Sequence, residues 1–80
     1  MKAIVNIFLK PGVLDSQGKA VHHALSSHHF DTVEDVRVGK QIILQLNERD
    51  EAKAKEEVEK MCEELLANTV IENYEIEIVQ

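Results

Sequence analysis

The segment from Leu9 to Val21 constrains the fold most, because it switches the hydrophobic pattern from a period of two to a helical period. It contains the only proline and two of the three glycines of the chain. Pro11 and Gly12 predict a turn, since proline presets φ and glycine accepts a positive φ. Asp15 is suited to N-cap a helix that begins at Ser16 and runs to about residue 29. The segment therefore predicts a strand, a tight turn and a helix in direct succession.

Alternating apolar residues predict the strands of an antiparallel sheet. One strand covers residues 3–9, and the last strand covers residues 74–79. Residues 36–46 alternate around a turn at Gly39-Lys40, which predicts a β-hairpin. In the last strand the apolar residues alternate with glutamates, so one face of the sheet is expected to be buried and the other solvated.

A second helix is predicted from about Asp50 to Ala67 by apolar residues at helical spacing. We assign its apolar stripe to the core, and its larger members are Val58, Met61, Leu65 and Leu66. The order of elements is then strand, helix, strand, strand, helix, strand. We predict one α+β domain over residues 1–80, a two-layer βαββαβ ferredoxin-like sandwich whose antiparallel sheet carries two helices on one face.

Three apolar residues, Ile4, Phe8 and Ile43, are predicted to point away from that core. Either a loop or a long side chain covers them, or they form a subunit interface, and the residues alone leave both readings open. A chain of 80 residues buries too little surface for a stable core of its own, which favours oligomerisation. We therefore predict a homodimer with Ile4, Phe8 and Ile43 at its interface, and leave the pairing of dimers into a tetramer open.

Composition narrows the class of partner and the compartment. The net charge is −6, and no basic run is longer than one residue, which disfavours nucleic acid as a partner. No apolar run approaches the ~20 residues of a membrane span, and the first residues do not form a signal peptide. The single cysteine excludes an internal disulfide and fits a reducing compartment. We expect a soluble, cytoplasmic protein.

The spacing of the candidate residues does not match that of known catalytic or ligand-binding motifs. A phosphate-binding loop needs four residues between its glycines and a hydroxyl after its lysine, but five residues separate Gly12 from Gly18, and Ala20 follows Lys19. The four histidines (His22, His23, His28 and His29) offer no pair at i,i+3 or i,i+4 for a metal. Cys62 lies in the apolar stripe of the second helix. We predict no catalytic residue, metal ligand or cofactor site on this chain.

Three stretches together resemble one known family. They are residues 9–15 with 17–21, residues 33–40, and residues 61–68 with 70–72. In this order and length the chain resembles PurS, the small accessory subunit of phosphoribosylformylglycinamidine synthase, over nearly all of its 80 residues. The resemblance implies a ferredoxin-like fold and a role in the fourth step of purine synthesis. It is implied that the complex converts formylglycinamide ribonucleotide to the amidine, with ATP and glutamine as co-substrates.

The resemblance also implies a division of labour. A glutaminase subunit releases ammonia, and a large synthetase subunit activates the amide oxygen with ATP. ATP, Mg²⁺ and glutamine are used by these partner subunits, whereas the small subunit is non-catalytic. As a dimer it would bridge the two other subunits and help to shape the ammonia path. An ACT-like module that binds amino acids shares this fold and a glycine-bearing first loop, and it is kept as the alternative. A stand-alone enzyme that uses the histidines is a second alternative.

Candidate partner-contact residues lie where the motifs are specific and core packing does not demand them. They are Lys10, Pro11, Gly12, Val13, Leu14, Asp15, Gln17, Gly18, Lys19, Arg37, Gly39 and Lys40. Lys19 falls in the first turn of the predicted helix, where the helix dipole disfavours a cation. A residue placed against its local preference indicates a role outside the fold. We expect that alanine at Lys19 or Arg37 leaves the isolated fold intact and weakens assembly.

Overall fold

The computed structural model describes residues 1–80 and contains three strands and two helices. The elements are β1 (Lys2–Leu9), α1 (Ser16–Ser27), β2 (Lys40–Gln45), α2 (Glu51–Met61) and β3 (Glu72–Val79), and α2 continues as a π-helical turn over Cys62–Leu66. The sheet is antiparallel in the order β2-β1-β3. The predicted α+β class, with an antiparallel sheet and two helices, is confirmed. Neither helix is long and apolar enough to cross a membrane.

The core lies between the central strand and α2. The inward residues Ala3, Val5 and Ile7 of β1 are fully buried, and Val58 and Cys62 of α2 and its π-turn cover them. Burial of a valine or isoleucine side chain of this kind contributes about 1.5–3 kcal/mol. The alternation predicted for β1 and the apolar stripe predicted for the second helix therefore meet to form this core.

Leu65 does not belong to the core, and its assignment to the buried stripe was wrong. Its side chain is 84% exposed, whereas Leu66 packs against the core cluster. The reason is the π-turn, in which the N–H of Ala67 donates to the carbonyl of Cys62 at 3.0 Å, an i→i+5 bond. A π-turn holds more residues per turn than an α-helix. The extra residue directs Leu66 inward and Leu65 outward.

The first arm of the predicted hairpin is not a strand, so the sheet has three strands instead of four. Residues 31–39 form no ladder, and β2 begins only at Lys40. The backbone of this segment is used elsewhere, because Val38 donates its N–H to the Asp15 side chain and the Val36 carbonyl lies against Gly18. Backbone groups that already form a hydrogen bond or a close contact at the start of α1 cannot also pair with a neighbouring strand. The edge of β2 where a fourth strand would pair therefore stays open.

Helix α1 does not cover the core beside α2, so of the two helices predicted on one face of the sheet, α2 alone packs against the core cluster. No residue of α1 belongs to the core cluster or to the apolar residues packed against it, and Gly18 is its only buried residue. Val21 is 43% exposed. The chain is elongated, with extents of 48 × 26 × 14 Å and a radius of gyration of 16.0 Å, against about 12 Å for a compact domain of this length. Within the single chain, the apolar side of α1 is therefore left without a partner in the core.

Candidate protein-interaction site

The two stretches of candidate contact residues meet in one place, which we call the Asp15 corner (residues 9–19 and 36–40). Asp15 joins them. Its Oδ1 accepts the N–H of Gly18 at 2.8 Å, which caps α1 as predicted, and its Oδ2 accepts the N–H of Val38 at 2.7 Å. Asp15 is the only charged residue that is buried. The hydrogen bonds from Val38 and Gly18, with the nearby charge of Arg37, hold the pKa of Asp15 below its ordinary value, although burial raises it.

A tight turn brings β1 into the corner. The N–H of Val13 donates to the carbonyl of Lys10 at 3.1 Å, and Gly12 has a φ of +88°. A positive φ at the third turn position after proline is typical of a type II turn, which favours glycine there. The turn predicted at Pro11-Gly12 is confirmed, and it places Asp15 directly over the first turn of α1.

Arg37 supports this turn from the other stretch. Its guanidinium donates to the carbonyls of Lys10 at 3.3 Å and of Leu9 and Val13 at 3.4 Å, and its Nε lies 3.9 Å from Oδ2 of Asp15. Arginine suits this role because its planar fork presents several donors at once. Arg37 therefore holds the corner together, so its replacement is expected to disturb the isolated fold, contrary to the expectation from the sequence that the fold would stay intact.

Two glycines allow the backbones to approach closely. A Cβ atom at Gly18 would lie 2.3 Å from the carbonyl oxygen of Val36, and one at Gly39 would lie 2.7 Å from the carbonyl oxygen of Ile7. Both neighbours are backbone atoms, which cannot rotate away. The two stretches thus require glycine at these positions for internal packing, and Gly18 itself is buried.

The corner presents an outer surface made by the remaining predicted contact residues. Pro11, Gly12, Leu14, Gln17, Lys19, Gly39 and Lys40 are exposed, and Lys10 and Val13 are half-buried. One groove of about 280 Å³ lies among Gln17, Gly39, Lys40 and Glu72, and the charges of the last two are 3.9 Å apart. A second, of about 290 Å³, includes Leu14, Lys19 and Arg37. Their contact with a partner stays a prediction.

The outer face of the sheet carries the predicted self-interface. Ile4 and Ile43 are direct cross-strand neighbours there, and their side chains are half-buried and 53% exposed, respectively. Phe8, on the same face of β1, is 37% exposed. All three side chains keep part of their surface in contact with solvent within the single chain. The subunit-interface reading stays a prediction.

The contacts of Cys62 and of two of the four histidines are those of residues with a structural role. Cys62 is buried, and burial together with the charges of Glu63 and Glu59 raises the pKa of its thiol, which makes it a poor nucleophile. Nε2 of His22 lies 2.9 Å from the carbonyl of Val33 and ties α1 to the segment that follows it. His29 adopts a φ of +68° just after α1. No three His, Cys, Asp or Glu side chains are grouped to hold a metal ion.

We expect Tyr74, the only tyrosine, to titrate at about pH 12. Its hydroxyl donates to Oε2 of Glu63 at 2.8 Å, and this hydrogen bond, with burial and the nearby acidic groups, raises the pKa from 10.0 to about 12. The stabilisation is complete below pH 10.0, where both states are protonated, and is lost as the pH rises towards 12. Absorbance of the tyrosinate against pH measures the midpoint.

Glu63→Gln removes the charged acceptor and is expected to lower the Tyr74 midpoint towards 10.0. Glu64→Gln is the matched control, since Glu64 is a neighbouring exposed carboxylate with no hydrogen bond to Tyr74. Equal midpoints in the two variants would contradict the assignment of the shift to the Tyr74–Glu63 hydrogen bond.

Comparison with known proteins gives one consistent result. Residues 2–80 match the family model described as PurS: Phosphoribosylformylglycinamidine (FGAM) synthase. The chain is 49% identical over 74 residues to phosphoribosylformylglycinamidine synthase subunit PurS of Synechocystis sp., covering 92% of this chain and 74% of that protein.

Two solved structures are similar over nearly the whole chain. The crystal structure of Methanocaldococcus jannaschii PurS, one of the subunits of formylglycinamide ribonucleotide amidotransferase in the purine biosynthetic pathway, has a TM-score of 0.90 and 46% identity and covers 99% of this chain and 95% of that one. A chain in the structure of PurLQS from Thermotoga maritima has a TM-score of 0.88 and 33% identity, with coverage of 98% and 95%. The similarity therefore extends to a chain solved within a complex.

Proposed function

The chain belongs to the PurS family of phosphoribosylformylglycinamidine synthase subunits, and from that premise we propose that it is the non-catalytic subunit that bridges the glutaminase and synthetase subunits and supports ammonia transfer. As a family member it is a subunit of this synthase in purine biosynthesis. The bridging role is supported most by its similarity, at a TM-score of 0.88, to a chain of the Thermotoga maritima PurLQS structure. A protein whose relative is found in such an assembly is expected to contribute contacts.

The non-catalytic role is supported by how the polar groups of the chain are used. The one buried carboxylate, Asp15, is saturated by backbone donors and Arg37, and the one thiol is buried with a raised pKa. A general acid or base needs a free position for substrate, and a nucleophile needs an activating neighbour. ATP, Mg²⁺ and glutamine accordingly bind to the partner subunits. The single cysteine can form no internal disulfide, which fits the reducing cytoplasm that we propose as its compartment.

A homodimer is the proposed basic unit. Apolar residues lie uncovered on α1 and on the outer face of the sheet, including Val21, Phe8 and Ile43. Symmetric pairing through such surfaces would add to the small core of an 80-residue chain by burying apolar side chains that it leaves exposed alone. Sedimentation over a range of concentrations measures this, and a monomer of 9.1 kDa at every concentration would overturn it.

Reconstitution tests the proposed function directly. The synthetase and glutaminase subunits are mixed with and without this chain, and glutamine-dependent turnover is compared with ammonia-dependent turnover. We expect the chain to be required for glutamine-dependent turnover and to change ammonia-dependent turnover little, since the proposal places no group of the synthetase active site on this chain. Equal glutamine-dependent turnover in both mixtures would contradict the bridging role.

Lys19→Ala is expected to weaken assembly several-fold while the isolated chain becomes slightly more stable. Lys19 is exposed on the Asp15 corner, so its loss removes a contact and not a core group. Removing a cation from the first turn of α1 relieves the unfavourable interaction with the helix dipole, by about 0.3–1 kcal/mol. The concentration giving half-maximal glutamine-dependent turnover measures assembly, and thermal unfolding measures stability.

Lys53→Ala is the matched control for Lys19→Ala. Lys53 is an exposed lysine in the first turn of the other helix, so the change in helix stability is similar. If the two variants assemble equally well, the corner is not a contact surface.

A further inference from the structure

The two most exposed large apolar side chains lie close together in sequence, one in the π-turn at the end of α2 and one in the loop that leads to β3. Leu65 is 84% exposed and Val70 is 81% exposed, and Ile71, which follows, is 38% exposed. We call these three residues the α2–β3 patch. It belongs neither to the outer face of the sheet nor to the Asp15 corner. Three large apolar side chains exposed within seven consecutive residues of a small protein indicate an interaction surface.

The exposure of Leu65 results from the geometry of the helix end. An uninterrupted α-helix would continue the stripe of Val58 and Cys62 through Leu65, but the π-turn brings Leu66 inward in its place. Single π-turns are rare and occur frequently at functional sites. The chain thus adopts an uncommon helical turn with the result that a leucine is presented to the solvent.

The loop that carries Val70 is held in one conformation by its own hydrogen bonds. The N–H of Val70 donates to Oδ1 of Asn68 at 3.2 Å, the N–H of Asn68 to Oε1 of Glu72 at 2.7 Å, and the N–H of Glu72 to the carbonyl of Asn68 at 2.7 Å. A surface ordered before it binds loses less entropy on binding. The patch is therefore presented by a pre-organised loop.

The helix end that carries Leu65 is acidic on its exposed side. Glu63 and Glu64 belong to the same π-turn, and Glu56 and Glu59 lie with them along one groove of about 360 Å³ in which Lys60 is the only cation. None of these carboxylates forms a salt bridge, since the two in the chain are Arg37–Asp15 and Lys40–Glu72. A second copy that offered the same patch would bring these like charges together, which is unfavourable. The charge favours a partner with a basic surface.

We propose that the α2–β3 patch docks into an apolar pocket bordered by lysine or arginine side chains on a partner subunit of the synthase. This inference rests on the proposed function and adds the surface and its chemistry. The N–H of Lys10 donates to the carbonyl of Ile71 at 2.8 Å, so the patch adjoins the Asp15 corner. One partner surface can cover both.

The test uses the double variant Leu65→Ser/Val70→Ser with the purified synthetase subunit and the purified glutaminase subunit, separately and together. We expect affinity for one subunit to fall at least tenfold, because a buried leucine or valine contributes that much to an interface. Thermal unfolding and sedimentation of the variant should match those of the wild type, since both side chains are more than four-fifths exposed.

The charge reversal Glu64→Lys tests the basic border. It is expected to weaken binding several-fold at low salt and to reduce the dependence of affinity on salt, which a purely structural effect would not do. Glu34→Lys is the matched control, because Glu34 is an exposed glutamate outside the patch and changes the net charge equally.

Each other outcome overturns the inference in a distinguishable way. If the wild type binds and the double variant binds as tightly, the patch is not the contact surface, although the bridging role stands. If the double variant loses self-association instead, the patch contacts a second copy. If Glu64→Lys and Glu34→Lys behave alike, the basic border is wrong. If the wild type binds neither subunit, the proposed function itself fails.

Discussion

Gly18→Ala is expected to lower the free energy of unfolding by about 2–3 kcal/mol, the upper part of the range for an overpacked site. The new Cβ would lie 2.3 Å from the carbonyl oxygen of Val36 and 2.8 Å from Oδ2 of Asp15. At an ordinary helical glycine the same change would gain up to about 1 kcal/mol of helix propensity, so the sign of the effect is informative. For a domain of this size the melting temperature should fall by about 10–20 °C.

The clash at Gly18 has no easy relief, because both neighbours are fixed. The Val36 carbonyl is main chain, and moving Asp15 would break its bonds to Gly18 and Val38. Thermal unfolding with Gln17→Ala as the matched control separates the clash from any general effect on the first turn of α1, since Gln17 is exposed and should change stability by less than about 0.5 kcal/mol.

Gly12→Ala adds a second comparison for Gly18→Ala. A Cβ at Gly12 meets nothing within 4 Å, but its φ of +88° is unfavourable for alanine, so only the backbone cost of about 1–2 kcal/mol is expected. A Gly18→Ala protein as stable as the wild type would mean that residues 36–38 do not cover α1 in solution.

The predictions made from the sequence are correct where local chemistry decides the structure. The alternation of residues 3–9 and 74–79 produced β1 and β3, the Pro11-Gly12 turn has the expected positive φ, and Asp15 caps α1. Each of these features depends on residues within a few positions along the chain. Periodicity, turn chemistry and helix caps are therefore enough to place them.

The errors in the sequence-based prediction come from contacts between distant segments. Residues 36 and 38 alternate as a strand would, but their backbone groups contact the start of α1, about 20 residues earlier in sequence. Leu65 fits the helical stripe, and only the packing of the helix end decides between an α-turn and a π-turn. The apolar residues of α1 fit a helical stripe, but none of them is buried, because no core residue packs against that side of the helix. The helical pattern in the sequence does not specify what covers such a stripe.

The candidate site was predicted as two stretches but not as one corner. Motif specificity named residues 10–19 and 37–40, and the structure brings them together through Asp15 and Arg37. The sequence did not reveal that Asp15, Gly18 and Arg37 together hold the two stretches against each other. It also missed the α2–β3 patch, although the apolar pair Val70-Ile71 in a predicted loop was a visible signal. Residues of the first kind hold the corner in place, and the proposed contact with a partner depends on a corner that is held in this way.

Asp15→Ala is expected to lower the melting temperature of the isolated chain by about 10–15 °C, because it leaves two backbone donors unpaired at once. These are the N–H groups of Gly18 and Val38, and the charge of Arg37 would also lose its partner. Since Asp15 is the main tie between α1 and residues 36–40, amide hydrogen exchange should rise most in α1 and in residues 36–40 and least in β1. Thermal unfolding and exchange measured together check both parts.

Asp50→Ala is the matched control for Asp15→Ala, since Asp50 caps α2 in the ordinary way. Its Oδ1 accepts the N–H groups of Ala52 and Lys53 within a single helix, and the residue is exposed. Loss of an ordinary N-cap should lower the melting temperature by about 5 °C, with faster exchange confined to α2. Equal losses in the two variants would show that Asp15 acts only as a local cap and does not join the two stretches.

The pH dependence of stability gives an independent check on the same carboxylate. The pKa of Asp15 is lower in the folded chain than its ordinary value of 3.8, so its contribution is fully present above pH 3.8 and is lost as the pH falls through the lower folded-state pKa. Asp15→Asn keeps one acceptor oxygen but cannot ionise, so its stability should vary less than that of the wild type over this range. An identical acid dependence in the two proteins would mean that other carboxylates carry the effect. A reduced dependence would show that the charge of Asp15, and not only its shape, ties the start of α1 to residues 36–40.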